Sequence, residues 1–125
     1  MDEPDTTPAV VLVVEDEALL RLLVVDILEE AGFEVIEACT ADDAVTLLMQ
    51  RPDIRVVFTD VNMPGCLDGF QLARHVQDHH CGVGVILGSG KCRPNPEDLP
   101  PGTIFLAKPY STSTLVHQVK GMAPL

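Results

Sequence analysis

Ala9 to Val14 (AVVLVV) is an unbroken apolar run made mostly of β-branched residues, the pattern of a strand covered on both faces. A strand buried on both sides needs layers above and below it, which excludes a sheet with one wet face. The rest of the chain supplies such layers, because apolar runs and amphipathic stretches alternate. With 125 residues there is room for one domain, which buries roughly two-thirds of the surface its unfolded chain exposes.

After the first strand, Leu19, Leu20, Leu22, Leu23, Val24, Ile27 and Leu28 form a broad helical stripe, with Asp26, Glu29 and Glu30 on the other side. Gly32 is placed to end that helix. Phe33 to Ala38 alternates like a half-exposed strand, and Thr40 reads as the N-cap of a helix from Ala41 to about Gln50, closed by Pro52. Arg55 to Thr59 is a third strand ending at Asp60. Beyond the turn VNMPGCLDG, Phe70, Leu72, Ala73 and Val76 mark a third helix. Gly82 to Leu87 and Thr103 to Ala107 are the fourth and fifth strands. A last helix spans roughly Ser113 to Met122, with Leu115, Val116, Val119 and Met122 inward.

Strands alternating with helices imply parallel strands joined by right-handed crossovers. The expected fold is therefore α/β: a doubly wound, five-stranded parallel sheet of the flavodoxin-like order 2-1-3-4-5. One crossover departs from the pattern. CRPNPEDLPPG, between strands four and five, holds four prolines, and an interior proline costs a helix about 3 kcal/mol. An irregular loop, or at most one turn near Pro96-Glu97-Asp98-Leu99, is expected where other such domains place a helix. The domain reads as residues 9–122, after a flexible lead-in of residues 1–8 and before a tail of residues 123–125.

Nineteen acidic and eight basic side chains leave a formal net charge of −11. That balance argues against direct contact with nucleic acid or an anionic membrane surface and favours cations or basic partners. No apolar run approaches a membrane span, and the acidic N-terminus lacks the basic start of a secretory signal, so a cytoplasmic location is expected. The cysteines at 39, 66, 81 and 92 form no CxxC pair and read as reduced thiols. Cys81 beside His79 and His80 raises the thought of a metal site, but no second Cys/His cluster completes a zinc set.

Sites in an open α/β sheet form at the carboxyl ends of strands near the switch in strand order. Strand one ends in Glu15-Asp16, strand three in Asp60, strand four in Gly88-Ser89-Gly90 and strand five in Lys108-Pro109. In the order 2-1-3-4-5, Glu15, Asp16 and Asp60 converge. Crowded carboxylates repel, and without help at least one is driven to hold its proton. A hard divalent cation, Mg²⁺ or Mn²⁺, resolves the repulsion with a few oxygen ligands and its own waters. Helix capping alone accounts for the acids after strand one but not for Asp60 or the lysine. Lys108 ends an apolar strand where its ammonium pairs with Asp60 or with anionic oxygens attached to it; the plainer alternative is a lysine snorkelling from a strand end. Pro109 suits a tight, cis-capable bond that sets the direction of Lys108. The Gly88-Ser89-Gly90 turn offers N–H groups and a hydroxyl to an anion, by itself a weak signal. No G-x-x-x-x-G-K-[ST] is present, which excludes a P-loop enzyme. Together these parts describe phosphoryl transfer onto a carboxylate.

With VLVVEDE on strand one, TDVNMPGCLDG after strand three and FLAKPY at strand five, the chain resembles the receiver domains of bacterial two-component response regulators, from about Ala9 to Met122. The resemblance implies that Asp60 accepts a phosphoryl group from the phosphohistidine of a sensor histidine kinase or phosphotransfer protein. It implies that Asp16 ligates Mg²⁺ with help from Glu15 and the backbone carbonyl of Asn62. Lys108 would bind the phosphoryl oxygen, with Gly88 and Ser89 beside it, and Phe105 falls at the family's aromatic switch position; the alternative for Phe105 is a plain core residue. Pro64, Gly69 and Pro109 take structural roles. Two departures stand out. The family's Thr or Ser after strand four registers on Gly88, so either Ser89 substitutes through a shifted loop or the hydroxyl is missing. The proline-rich stretch replaces a helix whose surface commonly serves output and dimerisation.

The expected behaviour is that of a stand-alone receiver, similar to the chemotaxis regulators. It would be monomeric or weakly dimeric, would signal to an unidentified protein target or relay phosphate, and would catalyse at most its own slow dephosphorylation. The alternative is a pseudo-receiver that binds a partner without being phosphorylated. An aspartyl-phosphate phosphatase needs a second acid two residues past the nucleophile, where this chain has Asn62.

Overall fold

The computed structural model describes residues 9–61, 68–80, 82–90, 97 and 99–122. The elements run β1 (Val10–Val14), α1 (Ala18–Glu30), β2 (Glu34–Ala38), α2 (Ala41–Gln50), β3 (Ile54–Asp60), α3 (Gly69–His79), β4 (Gly84–Ser89), β5 (Thr103–Ala107) and α4 (Thr112–Met122). All strand pairings are parallel and the sheet order is β2-β1-β3-β4-β5, the doubly wound arrangement expected. No helix stands between β4 and β5 among the described residues; most of the proline-rich stretch lies outside them. The lead-in, residues 1–8, and the tail, 123–125, also lie outside.

Every residue of β1 is buried, as the AVVLVV run requires of a central strand. Alternation splits its side chains between the two faces of the sheet. Val10, Leu12 and Val14 join Leu48, Leu72 and Val76 under α2 and α3. Val11 and Val13 join Leu28, Phe58, Leu115 and Val119 under α1 and α4. Each fully buried aliphatic side chain contributes about 1.5–3 kcal/mol, and the two aliphatic layers hold the strand ends that carry the site.

Local signals end the helices where the sequence places them. Gly32, at φ 103°, follows the α1 C-cap in the left-handed conformation that glycine adopts without penalty. Thr40 Oγ1 accepts the Asp43 N–H at 3.1 Å. A capping box starts α3: Asp68 accepts from the Gln71 N–H, and Gln71 accepts from the Asp68 N–H, both at 2.9 Å.

Two expectations need correction. Strand β4 begins at Gly84 rather than Gly82 and continues through Gly88 and Ser89, because it pairs with β3 as far as Asp60 and with β5 as far as Ala107. The apolar stripe of α1 is also not wholly inward. Only Val24, Val25 and Leu28 are buried, whereas Leu19 is 83% exposed and Leu23 58%. At 100° per residue, Leu19, Leu22 and Leu23 project from the side opposite those three. The first two turns of α1 are thus apolar on both sides, of which the sheet covers one, while Asp26, Glu29 and Glu30 continue the outer side.

Candidate functional site

The carboxyl ends of β1 and β3 lie side by side, with Val14 paired to Thr59, so Glu15 and Asp60 emerge together at the switch in strand order. Arg21, one turn into α1, donates from Nη1 to the Glu15 carbonyl at 2.8 Å and from Nε to Glu37 Oε1 at 3.0 Å. It therefore ties the start of α1 to the ends of β1 and β2. Gly69 opens α3 against the acceptor segment. Its N–H donates to the Val61 carbonyl at 2.9 Å, and a methyl group in its place would collide with the Asp60 carbonyl oxygen and Val61 Cα. Only glycine permits this approach.

Lys108 leaves the end of β5 through a cis bond to Pro109, and its backbone N–H donates to the Ser89 carbonyl at 2.9 Å. Its Nζ reaches Asp60 Oδ2 at 3.3 Å, with both side chains largely screened from water. Glu15 is only 4% exposed. Burial first, then a hydrogen bond with the Asp16 carboxyl and the charge of Asp60, push its carboxyl up to about 7; the Glu17 N–H, 3.2 Å from Oε2, and Lys108 act in the opposite sense. The crowding of acids contributes to this shift, and burial is its larger cause.

Among the described residues no three His, Cys, Asp or Glu side chains stand ready to hold a metal ion. Glu15 is turned to Glu17 and Asp16, and Asp60 to Lys108. The donor set nevertheless suits a hard cation. It is all oxygen, and a buried carboxyl beside further acids gains from positive charge nearby. Asn62 and Pro64 lie outside the described residues.

At the end of β4, Gly88 pairs with Asp60 in a ladder without a bulge. Ser89 follows it, 2% exposed, and pairs with Ala107 of β5. Phe105 is half-buried against the core layer under α2 and α3.

The sequence reading missed an aromatic wall. Phe58, two residues before Asp60, meets Tyr110 edge to face with ring centres 6.1 Å apart. Burial, reinforced by Glu15 and Asp60, pushes the Tyr110 phenol up to about 12. Together with Leu20, Leu23, Glu15 and Lys108 this pair lines a cavity of about 500 Å³ that opens along α1. The signal was available: Tyr110 follows Lys108-Pro109, and it is the single tyrosine in a chain without tryptophan.

An open parallel sheet with acids at its switch point and a strand-end lysine on the central aspartate defines a receiver-type α/β domain. The chain belongs to the response regulator receiver domain family of two-component systems, whose model matches residues 11–120. It is 32% identical over 123 residues to the transcriptional regulatory protein PdtaR of Mycobacterium tuberculosis, covering 95% of this chain but 58% of that protein. It is 30% identical to the response regulator receiver protein CpdR of Brucella abortus, covering 90% and 94% of the two chains. Among solved structures, the receiver domain of the hybrid histidine kinase CckA superposes with a TM-score of 0.78 at 30% identity, covering 90% of this chain and 97% of that one. The chemotaxis regulator CheY4 of Vibrio cholerae superposes with a TM-score of 0.81 at 26% identity, covering 93% and 99%. Among the described residues no helix is long and apolar enough to cross a membrane.

Proposed function

We propose that this receiver accepts a phosphoryl group on Asp60 from the phosphohistidine of a sensor kinase or phosphotransfer protein in the cytoplasm. It then passes the signal on by protein contact or relays the phosphoryl group. The observation that carries this reading is Lys108 Nζ on Asp60 Oδ2, 3.3 Å away, beside a buried acidic neighbour. A carboxylate oxygen of Asp60 attacks phosphorus. The O–P bond forms as the donor N–P bond breaks, and the imidazole leaves neutral after taking a proton. Lys108 moves from the carboxylate to a phosphoryl oxygen, offsetting charge where it develops. A Mg²⁺ or Mn²⁺ ion held by Asp16, Asp60, the Asn62 carbonyl and Glu15, directly or through water, would neutralise further charge on the transferring group. With Asn62 where a phosphatase has its acid, turnover of external phosphate esters is not expected; the domain acts as a signalling module.

Of the exposed leucines of α1, Leu20 and Leu23 line the cavity that leads to Glu15 and Lys108, and Leu19 and Leu22 stand on the outer side of the same first turns of the helix. Exposed leucines beside the acceptor site suit a docking protein, and we assign this surface to the phosphodonor.

Gly88 beside Asp60 favours a second reading, a receiver that binds its partner without being phosphorylated. Incubation with Mg²⁺ and acetyl phosphate separates the two. One added phosphoryl mass in the native chain and none in Asp60→Asn supports phosphorylation. No adduct on the native chain supports the second reading, and an unchanged adduct in Asp60→Asn removes Asp60 as acceptor.

A further inference from the structure

The last turn of α3 gathers histidines that the receiver chemistry does not use. His75 and His79 are four residues apart and share a helix face, with ring centres 4.6 Å apart. His80 caps the helix, its N–H donating to the Val76 carbonyl at 2.8 Å, and its ring centre lies 5.6 Å from that of His75. The Nε2 atoms of His75 and His80 are buried without a hydrogen-bond partner, a condition that costs stability unless a partner is supplied.

We propose that His75, His79 and His80 bind one borderline divalent transition cation, Zn²⁺ or a chemical relative such as Ni²⁺ or Cu²⁺. An ion about 2.0–2.1 Å from each imidazole nitrogen in tetrahedral geometry holds the ring centres roughly 5 Å apart, and the two spacings from His75 bracket that value. The rings do not yet form a ready three-ligand set. The helical pair His75 and His79 captures the ion first, and rotation of the His80 ring completes the set. Imidazole donors select this class over the oxygen-seeking Mg²⁺ of the acceptor site. Burial, then the neighbouring His79 and His80, hold His75 below the usual histidine range, while Asp78 acts in the opposite sense. Its neutral, ligating form therefore prevails near pH 7. A chain of net charge −11 also draws cations to its surface. Because the His80 carbonyl accepts the Val83 N–H at 3.1 Å, ligation would pin the end of α3 to the turn that leads into β4.

The fourth histidine, His117 on α4, is an internal control. The full chain, in saturating Mg²⁺, is titrated with Zn²⁺ while imidazole resonances are followed by NMR and stoichiometry by calorimetry. The expected result is one Zn²⁺ per chain, with the His75, His79 and His80 rings shifting together and His117 unmoved. The exposed variant His79→Gln should weaken binding by more than the roughly 10–100-fold that outer-shell partners contribute and abolish the Zn²⁺-induced rise in Tm. Equal shifts at His117 or an unchanged affinity in His79→Gln would overturn the proposal. So would binding lost only in Cys81→Ser, which places the ion on a thiol, or only in Asp16→Asn, which places it in the acidic pocket.

Discussion

Gly88 lies directly across the β3–β4 ladder from Asp60, and the path its side chain would take leads to the Phe58 ring, 3.4 Å from the first added carbon, and to Lys108 Cε at 3.8 Å. These are ordinary van der Waals distances. Position 88 itself carries no hydroxyl, and the surrounding fold leaves room for one.

Gly88→Thr should fold normally and place a donor beside the phosphoryl group. A hydrogen bond to a charged group contributes about 1.5–3 kcal/mol, so affinity for beryllofluoride with Mg²⁺ should rise roughly tenfold or more. Fluorescence of Tyr110, the chain's one tyrosine, reads the titration without a label. Equal affinities in the two proteins would show that the register does not direct that hydroxyl to the acceptor.

Gly69→Ala forces α3 away from the Asp60 carbonyl. Overpacking of this kind costs about 1–3 kcal/mol, seen as a lower urea midpoint with unchanged slope, and acetyl phosphate labelling should slow with it. A native midpoint would mean that the helix end shifts without penalty.

Glu15 contributes a pH dependence of defined sign. With its carboxyl raised from 4.5 to about 7, the folded chain keeps a proton there that the unfolded chain has released. The contribution to stability is therefore full below about 4.5 and is lost as pH rises through about 7. In EDTA, the native chain should lose stability between pH 5 and 7 relative to Glu15→Gln, whereas Mg²⁺ affinity, which competes with that proton, should rise over the same interval. Parallel urea midpoints for the two proteins across that range would remove Glu15 as the titrating group.

The double variant Leu19→Ser, Leu23→Ser changes exposed side chains, so the unfolding free energy from urea titration should change by no more than about 0.5 kcal/mol for each. Labelling by acetyl phosphate should be unaffected. Transfer from a phosphorylated kinase domain should fall about fivefold or more, as expected when interface contacts worth over 1 kcal/mol are removed. Loss of both activities together would place these leucines in the fold instead of the docking face.

The order of elements, the buried central strand, the glycine after α1, the Thr40 cap and the identity of the acids and the lysine at strand ends were legible from sequence. Each is written in a short window: an apolar run, a cap, a charge placed after a strand. What only the tertiary structure decided is relational. Strand β4 starts two residues later than its apolar run suggests, because pairing with β3 and β5 sets its limits. The sheet covers one side of α1 and leaves Leu19 and Leu23 outside, although leucine and valine stand on both sides of its first turns. Tyr110 joins Phe58 across the sequence, and His75 completes a cluster of which only His79 and His80 are adjacent in the chain. Periodicity states which residues seek cover; the packing of distant segments determines which of them find it and which side chains are left facing one another.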